Sequence, residues 1–212
     1  MIRVASLALI IGACGDNIRP VPADAPALPD LAVVPGQMTG TEAITTASFD
    51  GSSCEVVEGC VDAVGERRLL SFATVTENRG TADLDLGPVP PPGVSSGIFV
   101  WSPCHMHHHV MGYANFDLLD GSGDVVIAGR KQAFCLEDDE QVVPGRRSQF
   151  TCTLQGITVG WADVYAPDLA CEWIDVTGVP AGTYTVRVSI DPNEMFPDAD
   201  RTNNVWVDTV VL

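Results

Sequence analysis

Lysine is all but missing from this chain: Lys131 stands alone against ten arginines. With 28 acidic residues the formal net charge is −17. A surface of that sign excludes nucleic acid as a partner, because phosphate recognition needs basic side chains. It favours cationic ligands, amines and basic proteins instead. Apolar runs with a 3.6-residue period are scarce, and no amphipathic segment outlasts a turn or two, which excludes a helical fold. The apolar run at residues 4–11 is too short to cross a membrane. Tyrosine occurs three times, as Tyr113, Tyr165 and Tyr184, and histidine four times.

Alternation takes the place of helical periodicity. Over residues 67–77, Leu70, Phe72 and Thr74 share one face while Leu69, Ser71 and Ala73 share the other, so one strand is expected there. Asn78-Arg79-Gly80 closes it. The proline-rich residues 88–93 read as a loop, because successive prolines cannot continue a sheet ladder. Residues 113–119 form a further apolar segment, and Asp120-Gly121-Ser122-Gly123-Asp124 turns the chain into Val125-Val126-Ile127. Later, Tyr184, Val186, Val188 and Ile190 share a face, as do Val205, Val207 and Val211. With 20 glycines and 15 prolines between such segments, the expected fold is all-β, an antiparallel β-sandwich with long irregular loops, a barrel being the alternative.

The N-terminus reads as an export signal over residues 1–13: Arg3 precedes the apolar run, which ends in Ile11-Gly12-Ala13-Cys14. That ending resembles a bacterial lipobox, with cleavage before Cys14 and acylation of its thiol. A plain secretory signal is the alternative. Residues 14–35, rich in Pro, Ala and Asp, read as a flexible tether, and residues 36–212 as one domain. Seven cysteines are an odd number for an exported chain, but assigning Cys14 to a lipid leaves six for three disulfides. Cys54 and Cys60, six apart, suggest a small disulfide loop, with a zinc half-site as the weaker alternative. These features place the protein in an oxidising cell envelope, lipid-anchored or otherwise secreted.

All four histidines fall in Cys104-His105-Met106-His107-His108-His109. On a strand, His105, His107 and His109 would project from one face, with His108 opposite. His105 and His109 would then stand roughly 13 Å apart at their backbones, so convergence on one ion requires a twist or bulge. Three neutral imidazoles suit zinc, copper, iron or nickel, and spacing does not choose among them. Apolar neighbours on both sides favour an ordered metal site over an adventitious surface tract.

The segment from Trp101 to Asn204 resembles the catalytic domain of the lysyl oxidase family. The matching stretches begin with Trp101-x-x-Cys104-His105-x-His107-x-His109-x-Met111, Phe116-Asp117-Leu118-Leu119 and Lys131-x-x-Phe134-Cys135-Leu136-Glu137-Asp138. They continue with Gln155-Gly156, Asp163-x-Tyr165, Asp168-x-x-Cys171-x-Trp173-Ile174-Asp175 and Thr202-Asn203-Asn204. Upstream, the Cys54/Cys60 spacing and Asn78-x-Gly80-Thr81 also fit. The resemblance implies a copper-dependent amine oxidase with His105, His107 and His109 as copper ligands. It also implies that Lys131 and Tyr165 fuse into lysine tyrosylquinone, a covalent cofactor that oxidises primary amines, with lysine-bearing proteins among the candidates. The products would be an aldehyde, peroxide and ammonia, with O2 as oxidant. An unprotonated Lys131 amine would have to add to the oxidised ring, and burial supplies that form. Asp163, two residues before Tyr165, is the candidate base for the α-proton.

The resemblance further pairs Cys104 with Cys152. Gln141 and Trp161 stand where the family carries cysteines, which leaves Cys135 and Cys171 without partners and suggests a Cys135–Cys171 bridge. A copper-binding envelope lipoprotein without catalysis is the competing expectation, and the intact Lys131/Tyr165 pair weighs against it. A zinc hydrolase lacks a glutamate placed as in the HExxH pattern.

Overall fold

The computed structural model describes residues 26–129 and 134–212. The first elements are β1 (Leu31–Val33), α1 (Pro35–Met38), β2 (Ala43–Phe49), α2 (Cys54–Val57), β3 (Gly65–Ser71), β4 (Thr74–Asn78) and β5 (Leu84–Pro88). The middle of the chain supplies β6 (Phe99–Ser102), β7 (His107–Val110), β8 (Ala114–Leu119), β9 (Val125–Ala128) and β10 (Glu140–Gln141). It ends with β11 (Leu154–Ile157), β12 (Trp161–Tyr165), β13 (Trp173–Asp175), β14 (Thr183–Ile190) and β15 (Val205–Val211). The fold is an all-β sandwich, as its alternating segments predict, and every strand pair among the described residues is antiparallel.

Three sheets carry the core: β15-β14-β8-β9, β1-β4-β12-β10 and β13-β3-β2. In the first, Val186, Val188 and Ile190 point inward from β14, while Arg187 on the opposite face pairs with Asp117 across the β14/β8 register. Strand β15 turns Trp206 and Val210 to the core, so the Val205/Val207/Val211 face is the outer one, Val207 being 57% exposed.

The single strand expected over residues 67–77 is two strands in different sheets. Every residue from 69 to 78 is buried, because the chain crosses from β3 into β4 between packed layers. At the crossing, Ala73 N–H leaves the ladder and donates to Thr41 Oγ1 at 2.9 Å. Phe72 there packs edge-on against Phe116 of the facing sheet, with ring centroids 4.9 Å apart. Part of the expected tether is sheet instead. Leu31–Val33 forms a buried strand on β4, and Asn78 Oδ1 accepts from Asp30 N–H at 3.1 Å. Leu31 and Ala32 are apolar enough to be taken into the sheet, which the proline-rich surroundings disguise in sequence. The expected export signal over residues 1–13 and the expected lipid site Cys14 lie outside the described residues.

Candidate metal centre and tyrosine site

The histidines lie on a hairpin rather than on one strand. Pairing from Phe99↔Val110 to Ser102↔His107 leaves Pro103, Cys104, His105 and Met106 as the reversing turn. Met106 takes a left-handed φ of 59° and turns its side chain to solvent. The reversal brings His105 back over His107 and His109, so the wide gap of a straight strand never arises. Ser102 Oγ holds the turn by accepting from His105 N–H at 3.1 Å while donating to Glu58 Oε1.

The ring nitrogens converge. His105 Nδ1 is 3.2 Å from His109 Nε2, which is 3.1 Å from His107 Nε2. Donors at about 2.0–2.1 Å in a tetrahedral site stand about 3.3 Å apart, so the three are spaced as ligands of one ion. Glu58 Oε2 lies 3.7 Å from His105 Nδ1, at the rim of this cluster. His108 faces the other way: its Nε2 meets Val94 O at 2.8 Å, and its ring lies edge-on to Trp101.

Gln155 ties the hairpin to the rest of the site. Fully buried, it accepts from Leu136 N–H at 3.1 Å and donates to His108 O at 2.9 Å. The next residue has to be glycine, because a Cβ on Gly156 would come within 2.1 Å of Leu84 O. Asp138 performs a similar task in the adjoining loop, accepting from the backbone N–H of Gln149, Phe150 and Thr158.

Phe134 lies between the histidines and Tyr165, its centroid 5.6 Å from the His109 ring and 5.3 Å from the Tyr165 ring. Tyr165, on β12, is 4% exposed and donates to Cys135 O at 3.1 Å. Burial, reinforced by the Asp163 charge, pushes its phenol well above the ordinary tyrosine value. Asp163 shares the Tyr165 face of β12. Its Oδ1 accepts from Glu137 N–H at 3.1 Å, and its Oδ2 has no hydrogen-bond partner. Burial first, then the Asp139 charge, raises its carboxyl well above the usual carboxylate range. Lys131 lies outside the described residues.

The disulfides are Cys54–Cys104, Cys60–Cys171 and Cys135–Cys152, with Cα separations of 5.7, 5.3 and 5.0 Å, all suited to a bridge. None of the expected pairings, Cys54–Cys60, Cys104–Cys152 and Cys135–Cys171, forms. The helical turn α2 and the capping bonds after it, Glu58 N–H to Cys54 O and Cys60 N–H to Glu55 O, send the first two cysteines in different directions. Cys54 reaches the histidine turn and Cys60 reaches the segment following Tyr165. Cys152 lies beside Cys135, since β11 continues into the Gln155 and Gly156 contacts with Leu136. Gln141 and Trp161 face each other directly across β10 and β12. The two absent cysteines therefore mark one missing bridge, not two broken ones. Both side chains donate instead to Arg146 O, at 2.6 and 3.0 Å.

Sequence reasoning passed over Gln155, Phe134, Glu58 and Glu172. Gln155 and Phe134 lie inside recognisable stretches without obvious chemistry. Glu58 is one of several acids between two cysteines. Glu172 offered one signal, a charged residue in the otherwise apolar run Ala170-Cys171-Glu172-Trp173-Ile174.

Comparison with known proteins agrees with this geometry. The profile of the family described as lysyl oxidase matches residues 45–211. Lysyl oxidase homolog 2B of Danio rerio is 34% identical over 188 residues, covering 84% of this chain and 24% of its own length. Protein-lysine 6-oxidase of Homo sapiens is 33% identical over 191 residues, covering 84% of this chain and 44% of its own. Lysyl oxidase homolog 2 of Xenopus tropicalis is 41% identical over 145 residues, or 66% of this chain and 18% of its own length. The chain thus spans less than half the length of these relatives. A profile running through both the histidine hairpin and Tyr165, and relatives sharing a third of the residues across most of the chain, lead to one conclusion: the chain belongs to the lysyl oxidase family.

Proposed function

We propose that the protein is a copper-dependent amine oxidase that converts primary amines, including lysine side chains of proteins, to aldehydes. The observation that carries this is the convergence of three ring nitrogens at 3.1–3.2 Å, one aromatic ring away from a buried tyrosine. His105, His107 and His109 would hold copper, and a donor set of three imidazoles suits that ion. Lys131 and Tyr165 would form the lysine tyrosylquinone. Together these groups would supply the electron sink for amine oxidation, with O2 as the final acceptor and peroxide and ammonia released.

The chain's own residues do the rest. Gln155 and the Cys135–Cys152 bridge fix the hairpin against the Phe134–Leu136 segment, which sets the distance between ligands and tyrosine. Phe134 and Tyr113 pack on the Tyr165 ring and keep water from it. Asp163 takes the substrate α-proton: its unpartnered Oδ2 is the available acceptor, and a raised carboxyl value brings it nearer the operating pH. The net charge of −17 draws cationic amines to the surface. We place the protein outside the cytoplasm, held by a lipid on Cys14.

Copper-loaded protein given a simple primary amine should release peroxide, and removal of copper by a chelator should stop it. Protein that binds one copper per chain but releases no peroxide with any amine would instead be a copper-binding envelope protein.

A further inference from the structure

The three imidazoles are not alone in facing the space between them. Glu58 Oε2 lies 3.7 Å from His105 Nδ1, the same nitrogen that stands 3.2 Å from His109 Nε2. The carboxylate sits outside the tight trio, on its His105 side. Its other oxygen accepts from Ser102 Oγ, which in turn accepts from His105 N–H, so one hydroxyl sets the acid and the ligand side by side. The backbone that carries Glu58 is pinned at both ends. Its N–H donates to Cys54 O at 2.8 Å, and Cys54 is bridged to Cys104, the residue before His105. Two residues past Glu58, Cys60 is bridged to Cys171.

The Glu58 side chain is 9% exposed, and a carboxylate so far out of water needs a cation or several donors. It has one donor, the Ser102 hydroxyl. No arginine among the described residues pairs with it, and none of those residues donates to Oε2. His105 could pair with it by carrying a proton on Nδ1, but a nitrogen that binds a metal cannot carry one. At 3.7 Å the two atoms are also too far apart for a hydrogen bond. They are close to the spacing of neighbouring ligands on one ion, about 3.3 Å for donors at 2.0–2.1 Å. Carboxylate oxygens bind such ions at about 2.0–2.2 Å. Rotation about the Glu58 side-chain bonds can close the difference while the backbone stays pinned.

We propose that Glu58 is the fourth protein ligand of the ion held by His105, His107 and His109, and that its anionic oxygen makes the site prefer a divalent ion over a monovalent one. The proposal rests on the reading of these histidines as the copper site. A carboxylate oxygen is a hard donor that suits doubly charged ions, whereas monovalent copper prefers soft donors. Coulomb attraction works in the same direction, since it doubles with the charge of the ion. A Glu58 that merely braced the turn through Ser102 would behave differently: its loss would loosen the imidazoles and weaken both ions alike.

Titrations of the full chain against competing chelators, with Cu(II) in air and with Cu(I) held by ascorbate without oxygen, test this with no amine present. Glu58→Gln keeps the shape and the acceptor for Ser102 Oγ. It should weaken Cu(II) binding at least about tenfold while Cu(I) binding changes less than about threefold. The Cu(II) electron paramagnetic resonance spectrum should shift in its parallel hyperfine splitting. Glu58→Asp keeps the charge but shortens the reach by one methylene, and it should weaken Cu(II) selectively as well; it decides the matter should the glutamine variant not fold. Equal weakening of both ions, or Cu(II) affinity and spectrum unchanged, would overturn the proposal. A parent chain that binds no copper would overturn it together with the copper site. The selective loss of Cu(II) in a chain that oxidises no amine would remove the oxidase reading and leave this ligand standing.

Discussion

Phe134 divides the site into two unlike halves. On one side, the histidine hairpin is local and partly open: four ladder pairs, one four-residue turn and three imidazoles, two of them half-buried. On the other, the Tyr165 side is dry and assembled from β4, β12, the segment before β13 and Tyr113, residues far apart in the chain. The open half suits a metal, which needs its donors aimed at a common point. The closed half suits proton handling, which low polarity makes selective. Two environments one ring apart would let one small domain hold a cation beside buried acids.

The strongest way to break this division is to remove a ligand. His109→Ala should leave two imidazoles, so metal retained after dialysis should fall from one per chain to none and amine-driven peroxide release should vanish. Retained metal would mean that the ion sits elsewhere. Next comes the bridge that sets the closed half: Cys60→Ser with Cys171→Ser should cost about 4–5 kcal/mol, or a drop in Tm of roughly 10–15 °C by calorimetry. Gln155→Leu probes the tie between halves and should weaken metal binding by about 10–100-fold in chelator competition, because the hairpin loses its support from behind.

The pH dependence of folding has a definite sign. Asp163 and Glu172 keep their protons to higher pH in the folded chain than in the unfolded one. Between those two values the folded state binds more protons, so stability falls as pH rises above about 4 and stops falling beyond the folded values. The slope reaches at most about 1.4 kcal/mol per pH unit for each acid, and Glu172→Gln should flatten it. Denaturant titrations at several pH values read this directly. The smallest effect belongs to the outer face of β15: Val207→Thr should change stability by no more than about 0.5 kcal/mol.

The open half was legible in the sequence and most of the closed half was not. Clustered histidines point to a candidate metal site because few other arrangements need them, but the turn that makes them converge, which begins at Pro103, was not read, since the segment reads as one strand with a twist or bulge. Strand β14 and the turn at residues 120–124 were equally plain, since alternation and an Asp-Gly-Ser-Gly-Asp sequence are local signals. The disulfides were not, because a bridge depends on where two distant segments meet. Gln141 and Trp161 looked like halves of two bridges until the β10/β12 register set them opposite each other. The β3/β4 crossing was hidden for a related reason: its alternation continues unbroken through Phe72 and Ala73 although the chain changes sheet. Glu172 was overlooked because burial of a carboxyl is a property of packing, and only its apolar neighbours hinted at it.

The most direct test of the central claim is peptide mapping by mass spectrometry of protein matured with copper and of protein matured without it. The copper-matured sample should yield a linked peptide containing Lys131 and Tyr165, absent from the copper-free sample. Recovery of both residues unmodified from protein carrying one copper per chain would contradict the account.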